Sequence, residues 1–224
     1  MKNPITPAEA VAQIPDGASL MIGGFMGCGT PYTLIEALVT AGKKNLTIIS
    51  NDNDRVNQGI GRLIREGCVS HVITSHIGLN PETQKGMIDG TIKVDLVPQG
   101  TLAEQIRAAG YGLGGVLTKT GLGTVAAKAG ETVHLNGEDW IYMPPLKADF
   151  ALIHAAQADY TGNLTYQLTA QNFNPLMALA ADQVICEALE FMPVGTISPD
   201  LVRTPGVVVD ILVPAQGNRP IKPN

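Results

Sequence analysis

The sequence predicts an α/β protein: an open, mostly parallel sheet flanked by helices, with a small β-hairpin added. Three observations carry that expectation. Short apolar runs alternate with segments of helical periodicity along the chain, the order that produces strand–helix–strand units. The first such run, Leu20-Met21-Ile22, is apolar at consecutive positions, as expected of a strand covered on both faces of a parallel sheet. From Asp16 to Gly42, strand, glycine loop and helix then follow one another directly.

Taken in order, Thr6-Pro7-Ala8-Glu9 has capping-box spacing and predicts a short helix stopped at Pro15. After the first strand come Gly23, Gly24, Gly27 and Gly29, four glycines within seven residues, with Phe25, Met26 and Cys28 between them. Such a loop lets another molecule approach its backbone closely. Thr30 reads as an N-cap and Pro31 as the first helical residue, with Leu34, Ile35, Leu38 and Ala41 at helical spacing and Gly42 as the stop. Free amides and the positive end of the helix dipole would then face the loop and favour an anion or a developing oxyanion. Leu46 to Ile49 is the next strand, ending in the polar turn Ser50-Asn51-Asp52-Asn53. Ligands of open α/β sheets bind beyond the carboxyl ends of strands, so this turn and the glycine loop are expected to line one crevice.

Val69 to Thr74 and Ile92 to Val97 are further strands around a helix near Glu82 to Met87. Gln99 follows the second of them, and Thr101-Leu102-Ala103-Glu104 has the spacing of a second capping box, opening a helix to Ala109. Gly110 to Gly115 contains Gly-x-Gly-x-x-Gly but follows a helix, the wrong context for a dinucleotide site. With Thr118 to Thr124 it reads as a mobile loop over a site or a solvated connection. Asn136-Gly137 turns a hairpin between Val133-His134-Leu135 and Trp140-Ile141-Tyr142. Phe150 to His154, Val184 to Cys186 and Val207 to Val213 are later strands, with a helix from Leu176 to Ala181 opened by Asn174-Pro175. Residues 1–214 are expected to form one domain and 215–224 a flexible tail.

Composition narrows the function. A net charge of −5 and a pI near 5.3 disfavour nucleic acid or an anionic membrane as the main partner. No signal segment or 18-residue apolar run is present, and three widely spaced cysteines suggest neither a disulfide framework nor zinc, so a reducing cytoplasm is the expected location. Four histidines lack metal-ligand spacing, and no metal site is expected. Cys28 sits where a reactive thiol would, yet a small apolar loop residue is its ordinary reading. The loop lacks the Walker lysine, and no lysine or arginine occurs from Asp16 to Gly42, which counts against a phosphate-binding sugar-phosphate isomerase or ligand-sensing module, the alternative on a similar scaffold.

Asp16-Gly17, Leu20-Met21-Ile22, Gly23-Gly24-Phe25, Gly29 and Pro31 together resemble the signature of the class I (3-oxoacid) CoA-transferase alpha subunit, nearest the bacterial acetate/acetoacetate and butyrate/acetoacetate enzymes. The resemblance continues through Ser50-Asn51-Asp52, Pro98-Gln99-Gly100-Thr101, Thr118 to Thr124 and Asn163 to Asp182. It implies a CoA-transferase/NagB-RpiA-like fold, a transferase working on coenzyme A and short-chain acids, and no permanently bound cofactor. It implies an alpha2beta2 assembly in which the beta subunit supplies the glutamate nucleophile from a Ser-Glu-Asn-Gly context; this chain has no Ser-Glu pair. Gly23, Gly24, Phe25, Met26, Gly27, Cys28 and Gly29 would bind CoA, with Asn51 and Gln99 assisting at the acyl group. Asp52 stands where succinate-using relatives commonly carry asparagine, which points to monocarboxylates. The segment Thr161 to Asp182, rich in amides beside aromatics, would form the subunit interface or else a loop packed on its own domain.

Overall fold

A computed structural model describes residues 1–216. The chain begins with α1 (Pro7–Ala12), β1 (Ser19–Ile22), α2 (Tyr32–Thr40), β2 (Leu46–Asp52), α3 (Ile60–Arg65), β3 (Val69–His76), α4 (Pro81–Asp89), β4 (Lys93–Leu96) and α5 (Gln99–Gly110). It continues with β5 (Val116–Thr118), β6 (Glu131–Leu135), β7 (Glu138–Met143), β8 (Ala148–Asp159), β9 (Leu164–Thr165), α6 (Asn174–Ala178), β10 (Ala181–Met192) and β11 (Ile211–Pro214). The main sheet runs β11-β10-β8-β1-β2-β3-β4 with every one of these neighbours parallel, and β9 pairs antiparallel with β8.

Alternation along the strands explains the continuous apolar runs. Leu20 and Ile22 join Ile14, Leu34, Leu38 and Leu63 under α1, α2 and α3, whereas Met21 joins Leu102, Ile106 and Met177 under α5 and α6. Both faces are covered, and each fully buried side chain of this kind contributes roughly 1.5–3 kcal/mol. From β1 the chain builds β2, β3 and β4 to one side, then returns to place β8, β10 and β11 on the other. The order therefore reverses at β1, and the crevice beyond its carboxyl end is where such sheets take ligands.

Several expected elements differ. The hairpin is part of a three-stranded antiparallel sheet, β5-β7-β6, because Val116 to Thr118 pairs with Met143 to Ile141 and so draws part of the glycine- and threonine-rich segment into a strand. The Thr6 capping box is present, with Glu9 N–H donating to Thr6 Oγ1 at 3.2 Å and Thr6 N–H to Glu9 Oε2 at 2.8 Å. The one expected at Thr101 is not: β4 ends at Leu96 and α5 starts at Gln99 behind Pro98, so Thr101 already lies inside the helix, buried, with its hydroxyl unpartnered. Helix α6 stops at Ala178 because Ala181 enters β10, and residues Gly206–Val208 turn as a 3₁₀ segment before the last strand. Of the expected tail, Ala215 donates its N–H to Ala188 O at 2.9 Å and Gln216 to Thr33 Oγ1 at 2.8 Å; residues 217–224 lie outside the described residues.

Candidate active site at the carboxyl edge of the sheet

The glycine loop is a tight β-turn. Phe25 and Cys28 exchange both backbone hydrogen bonds at 3.0 Å, and the two residues between them, Met26 and Gly27, have φ of 49° and 85°, the signature of a type I′ turn. Glycine is the ordinary choice at Gly27; Met26 holds a left-handed conformation that disfavours a long side chain, and it and Phe25 project into solvent, 47% and 41% exposed.

Five of the loop's seven amides are already engaged within the chain, which corrects the expectation that they are free. Gly23 N–H donates to Leu152 O, Gly24 to Asn172 Oδ1, Phe25 to Cys28 O, Met26 to Asp52 Oδ2 and Cys28 to Phe25 O. The glycines are required by the chain's own packing: a Cβ on Gly23 would lie 1.9 Å from Asn174 Oδ1. Nor is the start of α2 an open anion site. Thr30 is turned inward instead of capping, Pro31 occupies the cap position without a side-chain bond, and Leu34 N–H donates to Glu187 Oε2 at 3.1 Å. That carboxylate, 1% exposed, also meets His154 Nδ1 at 2.9 Å, so the helix dipole already has its anion.

Two asparagines absent from the sequence-derived site hold the turn from the other side. Asn172 receives Gly24 N–H and donates to Cys28 O at 2.9 Å. Asn174, wholly buried, donates to Gly29 O at 3.0 Å and Ala170 O at 2.8 Å while accepting from His154 N–H at 3.0 Å. These contacts place this part of the Thr161 to Asp182 segment against its own domain. The only hint in sequence is the spacing of two asparagines before a proline.

Beneath the turn lie two buried carboxylates, Asp52 and Asp54, each 4% exposed. Asp52 accepts from Met26 N–H at 2.9 Å, Asn51 Nδ2 at 2.7 Å and Asp54 N–H at 2.9 Å. Its charge is thus committed internally, and the reading that it repels a dicarboxylate loses its basis. Asp54 accepts from Ile60 N–H at 3.0 Å, and burial together with the neighbouring Asp52 charge pushes its carboxyl up to about 7. Tyr32, whose hydroxyl donates to Gly27 O and accepts from Gln58 Nε2, is pushed up to about 12 by burial and by the charge of Asp54.

Asn51 and Gln99 do come together. Gln99 Nε2 donates to Asn51 Oδ1 at 2.6 Å, and Ser75 Oγ donates to the same oxygen at 3.2 Å. Asn51 is 2% exposed with both ends of its amide engaged, whereas Gln99 is exposed at the first turn of α5. The pair is therefore asymmetric: Asn51 orients Gln99, and Gln99 keeps a second amide N–H beyond the one it gives Asn51. Gln99, Phe25, Ala103, Phe173 and Leu176 wall a cavity of about 280 Å³ whose lining contains no carboxylate. Cys28 is partly buried beside the turn with Sγ 3.2 Å from Thr169 Oγ1. His71, His134 and His154 each pair with one carboxylate, and no cluster of three metal-ligating side chains occurs among the described residues. Among those residues no helix is long and apolar enough to cross a membrane.

Comparison with known proteins bears on this site. A family model described as Coenzyme A transferase matches residues 5–215. The chain is 51% identical over 215 residues to the acetate CoA-transferase subunit alpha of Escherichia coli (strain K12), covering 96% of this chain and 98% of the relative. It is 48% identical over 198 residues to the acetoacetyl-CoA:acetate/butyrate CoA transferase alpha subunit of Clostridium acetobutylicum, covering 88% and 91%. A crystal structure of an acyl-CoA transferase from E. coli O157:H7, as a thioester complex with CoA, superposes with a TM-score of 0.87 at 26% identity over 95% of this chain. The chain spans 47% of that solved chain, about half its length.

Proposed function

The chain belongs to the coenzyme A transferase family, and from that premise we propose that it is the alpha subunit of a short-chain acyl-CoA:carboxylate CoA-transferase, exchanging CoA between acetate or butyrate and acetoacetate. The observation that carries this reading is the near full-length identity with two alpha subunits named for those acids. The competing phosphate-binding isomerase loses support, because most of the loop amides and an amide of the first turn of α2 are already engaged by this chain's own acceptors.

In the proposed reaction a glutamate of the beta subunit attacks the acyl-CoA carbonyl and expels the CoA thiolate, leaving an acyl-glutamyl anhydride. The thiolate then attacks the glutamyl carbonyl, releasing the first acid and leaving an enzyme thioester, and the acceptor acid reverses the sequence. Each attack builds negative charge on a carbonyl oxygen. Gln99, held by Asn51, supplies one preorganised N–H to that oxygen, while Phe25, Phe173 and Leu176 give the acyl chain and the thioester end of CoA an apolar wall. The carboxylate-free lining agrees with a nucleophile arriving from outside this chain. CoA enters as substrate, with no resident cofactor, and an alpha2beta2 assembly in the cytoplasm is the setting proposed.

The test is to assay the purified chain alone and with a beta chain for acetyl-CoA formation from acetoacetyl-CoA and acetate. No turnover alone and turnover on mixing is the expected result. Appreciable turnover by the homogeneous chain alone would refute the divided site.

A further inference from the structure

Asp52 is the last residue of β2, and its two carboxylate oxygens serve different parts of the chain. Oδ1 accepts Asp54 N–H at 2.9 Å, a local bond that turns the backbone out of the strand. Oδ2 accepts two donors from separate parts of the site: Met26 N–H of the glycine turn at 2.9 Å and Asn51 Nδ2 at 2.7 Å. The second of these contacts continues outward, because Asn51 Oδ1 accepts from Gln99 Nε2 at 2.6 Å. One buried oxygen is thus joined directly to the turn and, through a single side chain, to Gln99. Gln99 and Phe25, the residue before Met26, wall the same cavity, whereas Asp52 is 4% exposed and does not line it.

A carboxylate can only accept hydrogen bonds, so the end of Asn51 that meets Asp52 is its NH2. That leaves Asn51 Oδ1 toward Gln99 and obliges Gln99 to present its own NH2 there. The direction of donation along the row, from Gln99 to Asn51 to Asp52, is therefore set at its buried end. Ser75 Oγ, 3.2 Å from Asn51 Oδ1, does not set it, since a hydroxyl can donate or accept. We infer that Asp52 is a positioning residue of the transferase site: its carboxylate fixes which end of the Gln99 amide faces Asn51 and, through the same oxygen, holds the glycine turn and Phe25 against that amide. The inference rests on the CoA-transferase reading and adds to it a residue that acts without touching substrate. Asp52→Asn is the informative change because it keeps the shape and alters only the hydrogen-bonding pattern. The new amide has one acceptor and one donor end, but Met26 N–H, Asp54 N–H and Asn51 Nδ2 are all donors. In either orientation one N–H is set against another, and in one of them Asn51 can answer only by turning its own oxygen inward, which reverses the row.

The experiment crosses Asp52→Asn with Gln99→Ala in the reconstituted alpha–beta complex, with acetoacetyl-CoA and acetate as substrates. In the wild-type background Asp52→Asn is expected to lower kcat on the order of 10- to 100-fold, the scale of a misplaced catalytic group, and to raise KM for acetoacetyl-CoA several-fold through the loosened turn. In the Gln99→Ala background the kcat loss should shrink to less than about twofold while the rise in KM persists. A merely structural Asp52 would lower kcat by the same factor in both backgrounds. Asp52→Ser, whose short hydroxyl cannot hold both distant donors, is carried through the same cycle, and rates are taken per assembled complex so that lost folding does not imitate lost positioning. Equal kcat losses with and without Gln99, or an Asp52→Asn complex with wild-type kcat, would overturn the role of Asp52 while leaving the transferase standing. Failure of the wild-type complex to transfer CoA at all would overturn both.

Discussion

Asp54 makes the stability of this protein depend on pH in a direction opposite to that of a salt-bridged carboxylate. Its carboxyl is 4% exposed, faces the Ile60 and Gly27 amides, and stands beside Asp52 and Tyr32; burial first and the Asp52 charge second push it up to about 7 from an ordinary 3.8. Between those two values the folded chain keeps a proton that the unfolded chain has released, so the contribution of Asp54 to stability is fullest below about pH 4 and is lost as pH rises through 7. The limiting slope is about 1.36 kcal/mol per pH unit, which amounts to about 3 kcal/mol lost between pH 5 and pH 8. Asp54→Asn keeps the acceptor for Ile60 N–H and imitates the neutral acid, so it should remove this dependence. Urea unfolding followed by circular dichroism at pH 5, 6, 7 and 8 is the assay. Relative to wild type, the variant should gain roughly 2–3 kcal/mol across that range, or about 5–10 °C in melting temperature for a chain of this size. Parallel pH curves for the two proteins would show that Asp54 ionises normally and that its burial is relieved by water.

Three further perturbations follow from the site. Gln99→Ala in the reconstituted complex should cost on the order of 10²- to 10³-fold in turnover with little change in melting temperature, and a large melting shift with near-normal turnover would make Gln99 structural. Asn51→Ala should slow turnover through the same hydrogen bond, so the double variant should lose little more than Gln99→Ala alone; additive losses would break the link between them. Asn174→Ala strands Gly29 O, Ala170 O and His154 N–H in a buried site, each costing about 1–3 kcal/mol, and should destabilise the chain by several kcal/mol in urea titrations; a loss under about 1 kcal/mol would show that water replaces the amide.

Much of the architecture was legible because local rules decide it. Consecutive apolar residues at Leu20-Met21-Ile22 required a strand covered on both sides, and α1 and α2 lie over Leu20 and Ile22 while α5 and α6 lie over Met21. The Thr6 capping box formed because its partners are three residues apart; the one at Thr101 failed because Pro98 had already started the helix a turn earlier. Strand ends carrying Asn51 and Gln99 converged as the parallel sheet demands. The sequence by itself therefore determined the strand and helix order, the family signature and the strand-end positions of Asn51 and Gln99. Tertiary structure alone decided that the glycine turn spends its amides on Asp52 and Asn172, that Glu187 rather than a ligand faces the α2 N-terminus, and that Asn174 fills the space over Gly23. These partners lie 26 to 153 residues away along the chain. Which acceptor reaches a buried amide depends on how strands stack into a sheet, a long-range outcome that no local spacing encodes.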